Sequence, residues 1–126
     1  MPAFATPEAM KQVLVRMAEL MQTDEAVINA SKGKRLSISY EFPDLEIFFY
    51  NKFLDGQVEA GLGELEDAEI QLTMDSDIFD GMMSGTINAA KAAMKGDLAF
   101  SGNVASAMRL QGLMNDFQRV YKLAKG

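Results

Sequence analysis

From Val104 onward the apolar residues recur in steps of three and four: Ala107, Leu110, Met114, Phe117 and Tyr121. Met108, Leu113, Val120, Leu123 and Ala124 form a second line and widen the stripe. Arg109, Asp116, Arg119 and Lys122 are left for the wet side. Asn103 stands where an N-cap belongs, because its side-chain oxygen can accept an orphan backbone N–H. A helix with so broad an apolar face must lie over a large apolar surface. The rest of the chain has to supply that surface. The functional question is whether protein alone covers it.

Upstream, Thr6-Pro7-Glu8 reads as a helix start, with a cap, a proline in the first turn and an acid near the positive end. Met10, Val13, Leu14, Met17, Leu20 and Met21 make its apolar face, and Lys11, Gln12, Arg16 and Glu19 face water. Thr23-Asp24-Glu25 restarts a second short helix through Val27 and Ala30, stopped near Gly33. Leu36, Ile38, Tyr40 and Phe42 then alternate with polar residues, which predicts a strand with one wet face. Residues 45–53 differ, since Leu45, Ile47 and Phe49 share one face while Phe48 and Tyr50 load the other. Such a strand is covered on both sides, or meets a partner or ligand. Asp55-Gly56 signals a hairpin, and Val58, Ala60 and Leu62 continue the alternation. Glu64, Glu66, Asp67 and Glu69 predict a solvated loop and strand edge before a fourth strand at Ala68, Ile70, Leu72 and Met74. Asp75-Ser76-Asp77 is expected to cap a short helix stopped near Gly85, and Asn88 another ended by Gly96. Leu98 and Phe100 should face inward from a short fifth strand that stops at Gly102. Helices, four meandering strands, two short helices, a strand and a long helix give an α+β fold with a mostly antiparallel sheet.

Composition removes several kinds of chemistry. The 126 residues suit one domain with one core, read here as spanning 1–126. Cysteine and histidine are both absent, which removes thiol chemistry, the usual metal ligand and the usual neutral-pH proton shuttle. A net charge of −6 argues against phosphate-backbone binding and against stable adhesion to anionic membranes. Met1-Pro2-Ala3-Phe4-Ala5-Thr6 has no basic or long apolar signal segment, and a cytoplasmic protein is expected. Ten methionines and eight phenylalanines without tryptophan favour adaptable apolar surfaces.

Individual motifs are mostly structural. Asp75, Asp77 and Asp80-Gly81 lack the spacing and closing glutamate of a calcium loop, so helix capping explains them. Gly61-x-Gly63 lacks the following helix of a dinucleotide loop. Ser31-Lys32 is badly placed for nucleophilic catalysis. No catalytic residue, metal ligand or cofactor is expected. Stripes such as Phe79, Met82 and Met83, or Met108, Met114 and Phe117, more often form core than a ligand site.

The ordered segments Asp75-Ser76-Asp77-Ile78-Phe79, Met83-Ser84-Gly85-Thr86-Ile87-Asn88, Lys91-Ala92-Ala93-Met94-Lys95-Gly96-Asp97-Leu98, Ser101-Gly102-Asn103 and Ala107-Met108-Arg109-Leu110 are informative together. This series of glycines with helix and strand between them resembles the sterol carrier protein type 2 lipid-binding domain, most densely over residues 68–113. The resemblance implies a five-stranded sheet, helices packed on one side and an apolar tunnel between. It implies sterols, fatty acids, fatty acyl-CoAs and phospholipids as ligands, carried without enzymatic chemistry. With it, a ligand cavity is favoured over plain core, lined by Phe48, Tyr50, Phe79, Met82, Met83, Met94, Phe100, Met108, Met114 and Phe117, with Gln111 beside the stripe either to orient a head group or to make a surface or inter-helix hydrogen bond. The C-terminal Leu123-Ala124-Lys125-Gly126 is not a Ser-Lys-Leu-type peroxisomal address. A protein-interaction or dimerisation module without a cavity is the competing reading. A homodimer and transient membrane contact both stay open.

Overall fold

The computed structural model describes residues 3–126. Met1 and Pro2, part of the stretch read for a leader, lie outside the described residues. Helix α1 (Pro7–Thr23) starts as its sequence requires, with the Thr6 hydroxyl oxygen accepting the Ala9 N–H at 3.2 Å. Asp24 then turns one helix into the next: its carboxylate accepts the Val27 N–H at 3.0 Å and caps α2 (Glu25–Ser31). The strands β1 (Arg35–Phe42), β2 (Ile47–Leu54), β3 (Gln57–Leu62) and β4 (Ile70–Met74) follow. After them come α3 (Ser76–Ser84), α4 (Ala89–Lys95), β5 (Leu98–Ser101) and α5 (Val104–Lys125). None of the described helices is long and apolar enough to cross a membrane.

The strands β1, β2 and β3 form an antiparallel meander, as their alternation predicts. Asp55 (φ 46°) and Gly56 (φ 86°) make the tight turn between β2 and β3. The fourth strand departs from the expected meander. It leaves β3 as an edge and pairs in parallel with β1, Tyr40 opposite Leu72, giving the order β3-β2-β1-β4-β5. The five-stranded sheet is therefore mixed, with β4 and β5 again antiparallel. The connection over residues 63–69 is too long and too acidic for a tight hairpin. It runs past the outer sheet face, where Leu65 and Glu66 border Ser39, Glu41 and Phe48, and the Gly63 N–H bonds the Phe48 carbonyl at 2.9 Å. That connection explains the apolar bulk of Phe48 on the second face. Strand β2 begins at Ile47, two residues later than the pattern suggested, because Leu45 closes a turn onto the Phe42 carbonyl.

Leu36, Ile38, Tyr40 and Phe42 of β1 and Ile47, Phe49 and Phe53 of β2 are buried on the helix side. Phe79 of α3 joins this core edge-on to Phe42 at 5.0 Å and to Tyr121 at 5.5 Å, and Phe117 stacks on Phe53 at 5.7 Å. Polar contacts hold the second half of α5. The Gln118 side chain donates to the Met82 carbonyl at 2.9 Å, and Tyr121 donates its hydroxyl to Asp80 at 2.6 Å. Lys125 also pairs with Asp80. The start of α3 is capped differently from expectation. Asp75 makes no side-chain cap; Asp44, from the β1–β2 turn, accepts the Ser76 N–H at 2.9 Å and its hydroxyl at 2.6 Å.

Arg119 grips Asp24 with two nitrogens at 2.9 and 2.6 Å, tying α5 to the α1–α2 junction. Hydrogen bonding to Arg119 holds the Asp24 carboxyl below its ordinary value of 3.8. A carboxyl with a depressed pKa in the folded state contributes stability above its unfolded value and loses it as pH falls through the folded value. Asp24→Asn keeps a cap acceptor but not the charge pair. It should lower stability at pH 7 by about 1 kcal/mol, or about 4 °C in melting temperature. The gap from the parent should begin to narrow below about pH 4 and close only once the pH falls under the depressed folded value. Thermal melts of both proteins across pH check this.

Candidate functional site

The apolar sheet face is not fully covered. Between the β4–β5 end of the sheet, α3, α4 and the first half of α5 lies a cavity of about 370 Å³. Tyr40, Leu72 and Met74 form its floor with Leu98 of β5. Met82 and Met83 of α3 close one side, and Ala89, Ala90 and Ala93 of α4 another. Ala107, Leu110 and Met114 of α5 look in from above, while Phe100, Asn103, Val104, Met108 and Gln111 form the rim.

Local sequence sets these walls. Gly85 and Gly96, at φ +86° and +85°, give the left-handed caps that end α3 and α4, leaving α4 a separate seven-residue helix. Gly81 lets the α3–α4 connection fold back. A Cβ there would stand 2.3 Å from Ile87 Cδ1, and the Gly81 carbonyl accepts the Thr86 and Ile87 N–H groups at 2.8 and 3.0 Å. Asn103 caps α5 as its position predicts, accepting the Ser106 N–H at 2.7 Å.

Among the described residues no charged side chain lines the cavity. Tyr40, the one phenol on its floor, is already committed: its hydroxyl donates to the fully buried Asn51 Oδ1 at 2.6 Å. Asn51 in turn donates to the Tyr50 carbonyl at 3.1 Å. Burial pushes the Tyr40 hydroxyl pKa far above its ordinary value, so it stays neutral. Polar function is thus confined to the rim amides of Asn103 and Gln111. Such a space solvates hydrocarbon and offers no acid, base or nucleophile to a guest.

Six of the expected lining residues are brought together here: Met82, Met83, Phe100, Met108, Gln111 and Met114. Phe79 and Phe117 lie elsewhere, in the closed aromatic core, where each contacts other rings. Phe48 and Tyr50 stand on the opposite face of the sheet from the cavity. Phe48 sits beside Leu65, and the Tyr50 ring lies against Gly61. Met94 is exposed on the side of α4 away from its buried Ala92. Phe100 is partly exposed where inward burial was expected, because it borders the open space. The reading of residues missed the floor (Tyr40, Leu72, Met74) and the alanines. The floor depends on the parallel β1–β4 pairing, which the local pattern does not reveal. The alanine run of α4 was a usable signal, since small side chains on a short amphipathic helix leave room.

The family model described as the SCP-2 sterol transfer family matches residues 12–115. A fatty acid-binding protein of Yarrowia lipolytica is 38% identical over 65 residues, covering 51% of this chain and 50% of that protein. The human hydroxysteroid dehydrogenase-like protein 2 is 41% identical over 57 residues, 44% of this chain but 14% of that one. The chain therefore aligns with half or less of these curated relatives. Among solved structures, the sterol carrier protein domain 2 of Helicoverpa armigera superposes with a TM-score of 0.64 at 20% identity, over 82% of this chain and 83% of that one. That likeness concerns the fold.

The Tyr40–Asn51 pair can be tested directly. Tyr40→Phe leaves a buried acceptor unpaired and should cost about 1–2 kcal/mol in urea unfolding. Replacing both, Tyr40→Phe with Asn51→Leu, should cost less than the sum of the single changes, because neither partner is then stranded.

Proposed function

The chain belongs to the SCP-2 sterol transfer family, and from that premise we propose that it binds apolar lipids and carries them between membranes without chemical change. The observation that carries this reading is the uncharged cavity of about 370 Å³, lined by methionine, alanine and leucine and open at a rim with two amides. The ligand class is that of fatty acids, fatty acyl-CoAs, sterol-like molecules or phospholipids. The fatty acid-binding name of the Yarrowia lipolytica relative supports it. Residues 1–126 act in this reading as one lipid-binding domain, working in the cytoplasm and touching membranes transiently.

Magnitudes agree with the proposal. An apolar cavity of ~150 Å³ accommodates benzene, so 370 Å³ at that density takes roughly 15 carbon atoms. Burying a chain of that size at ~0.8 kcal/mol per CH₂ stabilises the complex by on the order of 10 kcal/mol before ordering costs. Micromolar binding then needs no buried polar anchor. Met82, Met83, Met108 and Met114 can change rotamer around different guests, which favours broad selectivity. Gln111 and Asn103 would meet the head group at the rim while the tail lies over Tyr40 and Leu72.

Two measurements test the reading. Native mass spectrometry of gently purified protein should show a stoichiometric lipid, and a fluorescent fatty acid should titrate to saturation. Ala107→Phe, which places a ring into the space from α5, should weaken that titration at least tenfold while the thermal melt stays as high or rises. A parent protein that carries no lipid and takes up none would overturn the proposal.

A further inference from the structure

Eight large apolar side chains are exposed among the described residues, and four of them gather at the cavity mouth. Phe100 (41% exposed), Val104 (77%) and Met108 (66%) form part of the rim itself. Met94 (87%) sits on α4 one turn beyond Ala90, which lines the cavity. The other four, Val15, Leu54, Leu62 and Leu123, are scattered over four different elements. A contiguous exposed apolar patch marks an interaction surface, and this one surrounds the opening through which a hydrocarbon guest must pass.

Charge is segregated in the same place. Residues 81–115 contain one carboxylate, Asp97, against Lys91, Lys95 and Arg109, in a chain whose net charge is −6. Arg109 is neutralised by Glu69 at 3.1 Å. Lys91 and Lys95 enter no ion pair among the described residues. At 100° per residue α4 presents, in angular order, Ala90 toward the cavity, then Met94, Lys91 and Lys95. Two free cations thus border the apolar patch on its outer side. A second copy meeting this patch about a twofold axis would offer the two lysines the same carboxylate-poor face, with Asp97 the one acid in residues 81–115. A surface with hydrocarbon beneath and anions above meets both features at once.

We propose that the rim docks on an anionic phospholipid bilayer, with Met94, Val104, Met108 and Phe100 entering the headgroup layer and Lys91 and Lys95 lying on the lipid phosphates. The proposal rests on the lipid-carrier reading and names the face through which the guest is exchanged. It keeps the contact transient, because the remaining surface is acidic and is repelled by the same membrane.

The test is co-sedimentation with vesicles of phosphatidylcholine alone or mixed in equal part with phosphatidylglycerol. The parent protein should partition onto the mixed vesicles and leave them as salt is raised. A lysine at an anionic surface is worth about fivefold in partition, so Lys91→Gln with Lys95→Gln should weaken binding about 25-fold. Met94→Glu should weaken it at least tenfold. Lys11→Gln with Arg16→Gln, an equal charge change on the exposed face of α1, should leave it unaltered. The altered α4 side chains do not line the cavity, so these proteins should still titrate with fluorescent fatty acid. Docking at the rim is overturned if the parent ignores mixed vesicles, or if the α1 change weakens binding as much as the α4 change. It is also overturned if sedimentation velocity shows a dimer that Met94→Glu dissociates. Fatty-acid uptake without vesicle binding overturns docking alone; failure of both removes the carrier reading as well.

Discussion

The parallel pairing of β1 with β4 decides the rest of the structure. It moves β4 from beside β3 to the far side of β1, and β5 follows to the opposite edge. The apolar face of the sheet becomes wider than one long helix can shield. Helix α1 takes the β2–β3 side, and Phe117 and Tyr121 of α5 fill the middle against Phe53 and Phe79. The β4–β5 end is left to two short helices. One of them, α4, offers Ala89, Ala90 and Ala93 toward that end. Large side chains there would have closed the core; alanines leave a space beneath them.

Helix α5 divides accordingly. Its second half buries Leu113, Phe117, Val120 and Tyr121 and is held by Arg119 on Asp24, Gln118 on the Met82 carbonyl and Tyr121 on Asp80. Its first half spans the cavity, with Arg109 and Ser106 tied to Glu69 on one flank and Val104 and Met108 exposed on the other. Gly112, where an added Cβ would meet the tip of the Lys34 side chain at 3.8 Å, lies between the two halves and weakens the helix by about 1 kcal/mol relative to alanine. The packed half is the stable scaffold. The half over the cavity has fewer buried contacts, which is where local opening requires least free energy.

Much of this was legible in the sequence, and the boundary has a physical cause. Local signals worked: Thr6, Asn88 and Asn103 cap the helices they precede, Gly85 and Gly96 end theirs, and Asp55-Gly56 turns the chain. Each depends only on backbone groups within a few residues. Nonlocal relations were hidden. The cap of α3 comes from Asp44, thirty-two positions away, and β4 pairs across a connection whose acidity suggested only solvent. The same limit governs the site. Met82, Met83, Met108, Gln111 and Met114 come together along the cavity because helical periodicity sets their faces. Phe48 and Tyr50 misled, because apolar bulk on the outer sheet face was read as ligand contact. The crossing connection covers Phe48, and Tyr50 lies against Gly61.

The cavity also explains why the chain tolerates a polar pair in its core. A phenol facing an apolar space would either demand a hydrogen bond from each guest or penalise guests that lack one. Asn51 removes that demand by accepting the Tyr40 hydroxyl at 2.6 Å, on the side away from the opening. The ring then serves the floor as hydrocarbon, and its polar end is satisfied within the sheet. The pair specifies the orientation of one side chain at the cost of burying an amide, which is itself satisfied by the Tyr50 carbonyl. A floor without polar preference and walls of flexible methionine lead to the same physical result. In the proposed carrier, discrimination among guests would then depend on how much hydrocarbon fits, with any head group left outside at the rim.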